Sequence, residues 1–416
     1  MSQKSRSAPP IAYVVMGFPV RSETAVVREM HVIDEERFPV HVFSVRPTAF
    51  GEGVYEPKAD RLRPRTLGLT PRFALKSVAA TTRRLLRRDP RLLGALGVTL
   101  RRAGPLLPKA LVVLVLANGM ADEAKARGIG YIHGNFASFQ AFAAWVIGRL
   151  TDIPYGFTMH AHDLFIHGFM MEEKVREAAV VVSISQFNVD FIRETWGIPR
   201  DGVEIVHCGI DLSEFTPVER VRGDELRLLS VGRLTAMKGF PSLLDALSAL
   251  KGDGGMPVRL DLVGGGEDEA ALRQRIDALG LGDRVTLHVN APQAELKALY
   301  QAADVYVQPS IRLGSGLMEG VPATLMEAMA VGLPCISTRL SGIPEVVADG
   351  ETGILVEPER PDALAEAITW MRDHPTEAQA MGAAGRRRVE EGFDAAVNAR
   401  QLADLIEAAL ARRSRP

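Results

Sequence analysis

Residues 226–239 read LRLLSVGRLTAMKG, and their order decides the fold class. Leu226–Val231 is aliphatic enough for a strand, Gly232 ends it, and a helical pattern runs from Ser242 to Leu250. A short aliphatic run that passes through a glycine turn into a helix is one step of a parallel sheet covered by helices. Working outward, the same step recurs. Downstream, Arg259–Val263, Arg284–His288, Val305–Gln308 and Cys335–Ser337 read as strands, with a helix at Asp268–Leu279. Upstream, Ala12–Met16, Val40–Ser44, Tyr131–His133, Tyr155–Met159, Val180–Ile184 and Glu204–His207 do the same, with helices such as Thr24–Glu36 and Gln140–Arg149 between them. The segment Asp211–Glu225 is polar, contains Pro217 and Gly223, and reads as a linker. The chain is therefore two α/β halves of about 200 residues each, an ordinary domain size. Past Pro361 the pattern is helical to the end.

Composition limits what such a chain can do. Of 416 residues, 47% are hydrophobic and 24% charged, which excludes global disorder. Lys and Arg number 49 against 51 Asp and Glu, a balance that argues against a dedicated nucleic-acid binder. Two cysteines, Cys208 and Cys335, cannot build a disulfide framework. The start, MSQKSRSAPP, is polar and does not read as a signal peptide. The longest aliphatic run, Ala110–Ala117, is too short for a membrane span, which needs about 20 residues. These readings predict a soluble cytoplasmic protein.

Four features carry candidate chemistry. The first is the loop after Val231, where Arg233 and Lys238 stand between a strand end and a helix start. A βα loop at the carboxyl edge of a parallel sheet is where such folds bind ligands. The arginine fork and the lysine point charge together suit a diphosphate; the plainer reading is two surface cations in weak ion pairs. The second is Glu319 to Glu327 (EGVPATLME), two carboxylates flanking the start of a helix after a loop rich in glycine. Glycines let backbone approach a ligand, and the helix start offers free N–H groups. Glu319 could accept from sugar hydroxyls and Glu327 from ribose hydroxyls. Thr324 and Glu327 also match a capping box, which would leave Glu327 a purely structural task.

The third feature is Gly264-Gly265-Gly266-Glu267 after a strand. It lacks the glycine spacing of dinucleotide folds and reads as a tight turn at the rim of the cleft. The fourth is Thr158-Met159-His160-Ala161-His162-Asp163 at a strand end. With His133 and His167 it could hold zinc; otherwise a strand-end histidine hydrogen-bonds substrate or backbone. No familiar metal-binding spacing supports the first choice, and no metal is assigned.

Charge is uneven along the chain. Between Lys58 and Lys109 there are fourteen basic residues, opposed only by Asp60 and Asp89. Interleaved with Leu85, Leu86, Leu92, Leu93 and Leu96, this block has the make-up of a basic amphipathic surface for an anionic leaflet. It would equally suit a solvated helical face or an anionic acceptor.

Taken together, the motifs resemble the retaining glycosyltransferases of family 4. The most specific stretch runs from Pro309-Ser310 to Ser341-Gly342-Ile343-Pro344-Glu345, including Glu319, Glu327-Ala328-Met329-Ala330 and Gly332-Leu333-Pro334. Phe18-Pro19 with Ser22-Glu23-Thr24, Phe157-Thr158 with His160-Ala161 and Asp163, and His207-Cys208-Gly209-Ile210-Asp211 are similar to the branch that makes exopolysaccharides such as colanic acid. The resemblance implies a GT-B fold, with two Rossmann-like parallel-sheet domains facing across a cleft. It implies a disordered tail at residues 1–10 and an acceptor-binding domain over 11–215. A nucleotide-sugar-binding domain would cover 216–393, and a crossover helix at 394–416 would return to the first domain.

The resemblance also implies roles. Arg233 and Lys238 would bind the diphosphate, Glu319 the donor sugar and Glu327 the ribose. Backbone amides around Ala323, Thr324 and Leu325 would reach sugar or phosphate. Gly17 would lie near the donor phosphates or acceptor, and His160 near the reacting carbon. The donor is a nucleotide-diphosphate sugar, with no cofactor and no metal. The acceptor would be a glycan or lipid-linked saccharide, with residues 58–109 against an anionic membrane. The rivals are a nucleotide-sugar epimerase or hydrolase on the same fold, a metal-dependent hydrolase built on His160, His162 and Asp163, and a non-catalytic glycan-binding scaffold. A dehydrogenase is disfavoured by the missing glycine fingerprint, and a P-loop enzyme by the missing Lys-Ser/Thr signature.

Overall fold

The computed structural model describes residues 8–20, 23–48, 50, 56–165, 168–199, 201–218, 220–252 and 254–413, and of His162 and Arg413 the backbone alone. Residues 1–7 of the expected tail, Ser22 and His167 lie outside the described residues. The chain forms two compact units. One runs to His207 and resumes at Ala395; the other is Cys208–Asp394.

The first unit is built on seven parallel strands: β1 (Ile11–Val15), β2 (Val40–Ser44), β3 (Thr66–Leu67), β4 (Tyr131–Asn135), β5 (Tyr155–Met159), β6 (Val180–Ser183) and β7 (Val203–Ile205). They lie in the order β3-β2-β1-β4-β5-β6-β7. Helices α1 (Thr24–Glu36), α2 (Pro71–Leu86), α3 (Pro90–Arg102), α4 (Leu107–Ala126), α5 (Phe139–Thr151), α6 (Ala161–Phe165), α7 (Met171–Glu177) and α8 (Gln186–Trp196) connect them. Every residue of β1, β4 and β5 is buried. That is why these strands read as continuous apolar runs and not as alternating ones.

The second unit repeats the plan with β8 (Leu226–Val231), β9 (Val258–Val263), β10 (Val285–His288), β11 (Val305–Gln308), β12 (Cys335–Thr338) and β13 (Gly353–Val356), in the order β10-β9-β8-β11-β12-β13. Its helices are α9 (Phe240–Ala249), α10 (Glu269–Ala278), α11 (Gln293–Ala302), α12 (Ala323–Ala330), α13 (Ile343–Val346), α14 (Pro361–Asp373) and α15 (Pro375–Gly392). β8 pairs with β9 from Leu226↔Val258 to Val231↔Val263, and with β11 at Val305↔Leu228 and Tyr306↔Leu229. In each unit the strand order reverses beside the first strand, between β1 and β4 and between β8 and β11. Loops leaving such a point at the carboxyl edge diverge and open a crevice.

The last helix, α16 (Ala395–Arg413), packs on α1 of the first unit. Ala399, Leu402, Ala403 and Ile406 join Val26, Val27, Met30 and Ile33 in one buried cluster. Arg37 pairs with Asp404 and Glu407, and Arg400 with Glu36, around its rim.

The strands expected from sequence are present to within two residues at each end, and two more exist. β3 is only two residues long, and β13 opens on a glycine. A Cβ at Gly353 would sit 2.3 Å from the Cys335 carbonyl, so close strand pairing requires glycine there. The expected domain boundary at 215/216 differs from the structure, in which the second unit begins at Cys208. The Ile210 amide donates to the Phe393 carbonyl, and Phe215 lies edge-on to Tyr300 at 6.1 Å. Asp211–Glu225 is also no free linker: Arg220 donates to the carbonyls of Ala303 (3.0 Å) and Val331 (2.9 Å). Backbone carbonyls so recruited are invisible to a reading of local polarity.

The basic block resolves into a 3₁₀ segment, Pro57–Arg65, followed by α2, α3 and the start of α4. Much of its charge is met by carboxylates far off in sequence. Arg65 forks onto Asp34, Arg83 and Arg84 share Asp122, Arg91 meets Asp152, and Arg102 meets Glu172 and Glu173. The Ala110–Ala117 run belongs to α4. With the turn from Gly104, that helix is long and apolar enough to cross a membrane. Half of it is buried within the unit, and it packs on α2 and α5.

Candidate functional site

The second unit places the two predicted cations and the first glutamate at its strand-order reversal. Beyond β8, Gly232 and Arg233 lead into one 3₁₀ turn, Ala236–Lys238, and then α9. Gly239 has a φ of +67°, and a Cβ there would sit 1.9 Å from the Pro309 carbonyl. The loop is thus pressed onto the exit of β11. Lys238 Nζ donates to Glu319 Oε1 at 2.5 Å, with 9% and 12% of the two side chains exposed.

Glu319 is held on its other oxygen as well. Ser310 Oγ donates to Oε2 at 2.5 Å and Gln308 Nε2 at 3.1 Å. Gln308 in turn accepts from Tyr306 (2.7 Å) and from Thr324 (3.3 Å). Gln308 and Ser310 are fully buried. A largely buried carboxylate with three donors has a fixed position. The network joins the β8 loop, the β11 exit and the start of α12 into one surface.

Arg233 differs from Lys238. It is exposed, and its side chain makes no hydrogen bond or ion pair with another described residue. Its five donors are therefore available to an anion on the same loop. The glycines of the third feature serve this loop. A Cβ at Gly264 would lie 1.8 Å from the Gly232 carbonyl, and the Gly265 carbonyl accepts from Leu234.

Helix α12 begins at Ala323 with Pro322 as its cap and no side-chain cap. Thr324 and Glu327 therefore form no capping box. The Thr324 hydroxyl faces Gln308, and Glu327 Oε2 accepts from Tyr300 OH at 3.0 Å. Leu325 N–H donates to the Pro322 carbonyl at 3.2 Å, so its amide is already engaged. The amides of Ala323 and Thr324 have no acceptor among the described residues and carry the positive end of the helix.

The first unit places Gly17 just past β1 and His160 just past β5, at the carboxyl edge of its own sheet. His160 Nε2 lies 3.2 Å from Asn135 Oδ1, and its ring lies 4.2 Å from that of Phe136, whose φ is +80°. The turn beneath it is braced by Asp163. One of its oxygens accepts the His160 amide at 3.0 Å, the other the Ala137 amide, while buried Lys174 donates to the Ala137 carbonyl. Burial pushes the His160 imidazole down to about 4 and that of His133 to about 3, so both are neutral at pH 7. His133 Nε2 faces the Thr158 hydroxyl at 2.9 Å. Among the described residues, no three His, Cys, Asp or Glu side chains converge as ligands for an ion. The side chain of His162 and the whole of His167 lie outside the described residues.

Sequence reasoning missed Gln308, Ser310, Tyr300, Asn135 and Lys174. A faint signal existed for the first two. Gln308 and Ser310 close an aliphatic strand with polar side chains where a fully buried strand has no use for them unless something binds there.

Two parallel sheets of the Rossmann type in one chain, the second with this charged crevice, define the GT-B class. Solved structures agree on the fold. A glycosyltransferase from Rickettsia africae ESF-5 superposes with a TM-score of 0.74 at 18% identity, over 97% of this chain and 99% of that one. Alr3699/HepE of Anabaena in complex with UDP gives 0.70 at 17%, over 96% and 100%. Residues 23–214 match the family model for Glycosyltransferase Family 4, and residues 213–388 that for Glycosyl transferases group 1. The chain thus carries a Glycosyltransferase Family 4 domain followed by a Glycosyl transferases group 1 domain.

Curated relatives point the same way. A putative colanic acid biosynthesis glycosyltransferase of Escherichia coli K12 is 32% identical over 264 residues, 63% of this chain and 64% of that one. An amylovoran biosynthesis glycosyltransferase of Erwinia amylovora is 35% identical over 212 residues, 51% and 52%. A GDP-mannose-dependent phosphatidylinositol monomannoside mannosyltransferase of Mycolicibacterium smegmatis is 31% identical over 241 residues, 55% and 62%. The match spans less than two thirds of the length of each.

Proposed function

We propose that this chain moves a sugar, with retention of configuration, from a nucleotide-diphosphate sugar to a hydroxyl of a glycan or lipid-linked saccharide in exopolysaccharide or envelope polysaccharide synthesis. The observation that carries the reading is the Lys238–Glu319 pair at the strand-order reversal of the second unit, with the uncommitted Arg233 guanidinium on the same loop. The relatives named for colanic acid and amylovoran support the polysaccharide, and the mannosyltransferase named for a phosphatidylinositol acceptor supports a lipid-linked one.

The chemical difficulty is the negative charge growing on the departing diphosphate. Arg233, Lys238 and the free amides of Ala323 and Thr324 supply preorganised positive charge, so the reading needs no divalent metal. Glu319, oriented by Ser310 and Gln308, takes hydroxyls of the donor sugar. Glu327, oriented by Tyr300, takes those of the ribose. Among the described residues no carboxylate is assigned as a nucleophile, which favours a front-face route in which the leaving phosphate accepts the proton of the acceptor hydroxyl. Gly17 and the neutral His160 are assigned to the donor phosphates and the sugar on the strength of the family resemblance. The location that follows is cytoplasmic, with peripheral contact to an anionic membrane through residues 58–109.

The test is a thermal-shift panel of UDP-, GDP-, ADP- and TDP-sugars. A ligand at 100 times its Kd adds about 2.7 kcal/mol of stability. One nucleotide class should stabilise the protein, and Glu319→Gln should weaken that shift for the sugar-bearing donor more than for the bare nucleotide. No shift with any donor would overturn the assignment. Donor breakdown at full rate without acceptor would favour the epimerase or hydrolase.

A further inference from the structure

The turn between α2 and α3 carries a combination the donor site does not explain. A cavity of about 580 Å³ opens there, lined by Arg83, Arg84, Arg87, Arg91 and Lys125 with Asp89 as the lone carboxylate. Arg83 and Arg84 share Asp122, and Arg91 is paired with Asp152. Arg87 and Lys125 have no carboxylate partner among the described residues, nor does the neighbouring Arg88, which is exposed. The cavity therefore keeps a surplus of positive charge after its internal pairs are made.

Apolar side chains crowd the same turn. Leu85 and Leu86 close α2 and are 42% and 81% exposed; Leu93, in the first turn of α3, is 44% exposed. Of the nine large hydrophobic residues exposed among the described residues, seven lie on α2, α3 and α4. A soluble folded surface seldom spends leucines this way, so their gathering beside a cationic cavity asks for one ligand that satisfies both. A soluble anion uses the arginines and leaves the leucines in water. An anionic phospholipid surface uses both: phosphate in the cavity, leucines at the acyl boundary, cations in the headgroup layer.

We propose that the α2–α3 turn is a docking site for anionic phospholipid, with the cavity of Arg83, Arg84, Arg87, Arg91 and Lys125 receiving a headgroup phosphate and Leu85, Leu86 and Leu93 entering the bilayer interface. This deepens the peripheral-membrane part of the proposed function by naming the face and the lipid chemistry. It does not depend on which sugar is transferred.

The experiment is co-sedimentation of the full chain with vesicles of phosphatidylcholine containing about 30 mol% phosphatidylglycerol, beside vesicles of phosphatidylcholine alone. The chain should bind the anionic vesicles and come off in about 0.5 M salt. Arg87→Glu with Arg88→Glu should lower binding roughly tenfold or more, and Leu86→Ser should lower it roughly tenfold. Both variants should keep the wild-type melting temperature and the wild-type thermal shift with nucleotide sugar, which separates this proposal from the donor site. Equal binding to both vesicle types, or variants that bind like wild type, would overturn it. So would full competition by millimolar inorganic phosphate or glycerol phosphate, since that would show a site for free anions in which the leucines have no part.

Discussion

Replacing Lys238 with methionine keeps the side chain's bulk and removes its charge. Glu319 is then a carboxylate with 12% of its surface exposed that keeps two of three donors, Ser310 and Gln308. Removing one partner of a buried pair costs about 3–5 kcal/mol. Two surviving hydrogen bonds to the charged oxygen place this case near the lower end, about 3 kcal/mol. At about 2–4 °C per kcal/mol, the second unit should melt about 6–12 °C lower. Adding Glu319→Gln removes the stranded charge while keeping an acceptor for Ser310, so the double variant should regain most of that loss. Transfer should not recover. If Lys238 offsets charge on the leaving diphosphate, both variants lose about 100- to 1,000-fold in turnover. The assays are differential scanning calorimetry and release of nucleoside diphosphate from the donor found by thermal shift. Stability restored without activity would separate the pair's structural work from its chemical work. A Lys238→Met variant that melts and turns over like wild type would refute the reasoning at its root.

Arg233→Ala should leave the unfolding free energy within about 0.5 kcal/mol of wild type, because the side chain is exposed and unpaired. It should weaken nucleoside diphosphate binding by about 1.5–3 kcal/mol in calorimetric titration, and unchanged affinity would remove it from the diphosphate. The imidazole of His133 is held near 3 by burial, against an ordinary value of 6.5. Its unfolded form takes up the proton first, so its contribution to stability is complete above pH 6.5 and falls away as pH drops toward 3. His133→Gln should therefore show a shallower loss of stability in urea titrations between pH 6.5 and 4, by up to about 1.4 kcal/mol per pH unit; parallel curves would contradict this. Leu402→Ala empties a fully buried position in the α1–α16 cluster and should cost about 2–5 kcal/mol of the first unit's stability, with donor binding unaffected.

How much of this was legible beforehand divides by range along the chain. Strand β8 and its loop were readable because an aliphatic run, a glycine and a helix follow one another within 25 residues. The α12 region was readable as a glycine-rich loop before a helix. The link between them was not, since Lys238 and Glu319 are 81 residues apart and meet only because β11 lies beside β8. The same blindness affected the basic block. Its sequence neighbours contain two acidic residues, while its spatial neighbours include Asp34, Asp122, Asp152 and Glu173. The capping-box reading of Glu327 failed on two residues of register. The helix starts at Ala323, so Thr324 is already inside it, and Tyr300 holds the glutamate from a neighbouring helix. The early boundary at Cys208 was hidden because residues 208–215 are tied to the second unit by partners far off in sequence: the Phe393 carbonyl, the Tyr300 ring, and Gln293 and Lys297 on Glu214.

The placement of α16 has a consequence for biosynthesis. Residues of α1 leave the ribosome well before those of α16, yet the apolar stripe that Val27, Met30 and Ile33 present is covered by that later helix. The intervening unit, Cys208–Asp394, is continuous and 187 residues long, and takes roughly 10–40 s to translate at about 5–20 residues per second. During that interval the nascent amino-terminal half carries an open greasy seam, while the later half can mature on its own. Order of emergence and order of completion are thereby inverted, and a ribosome stalled before Ala395 would leave the seam of the first unit unsealed.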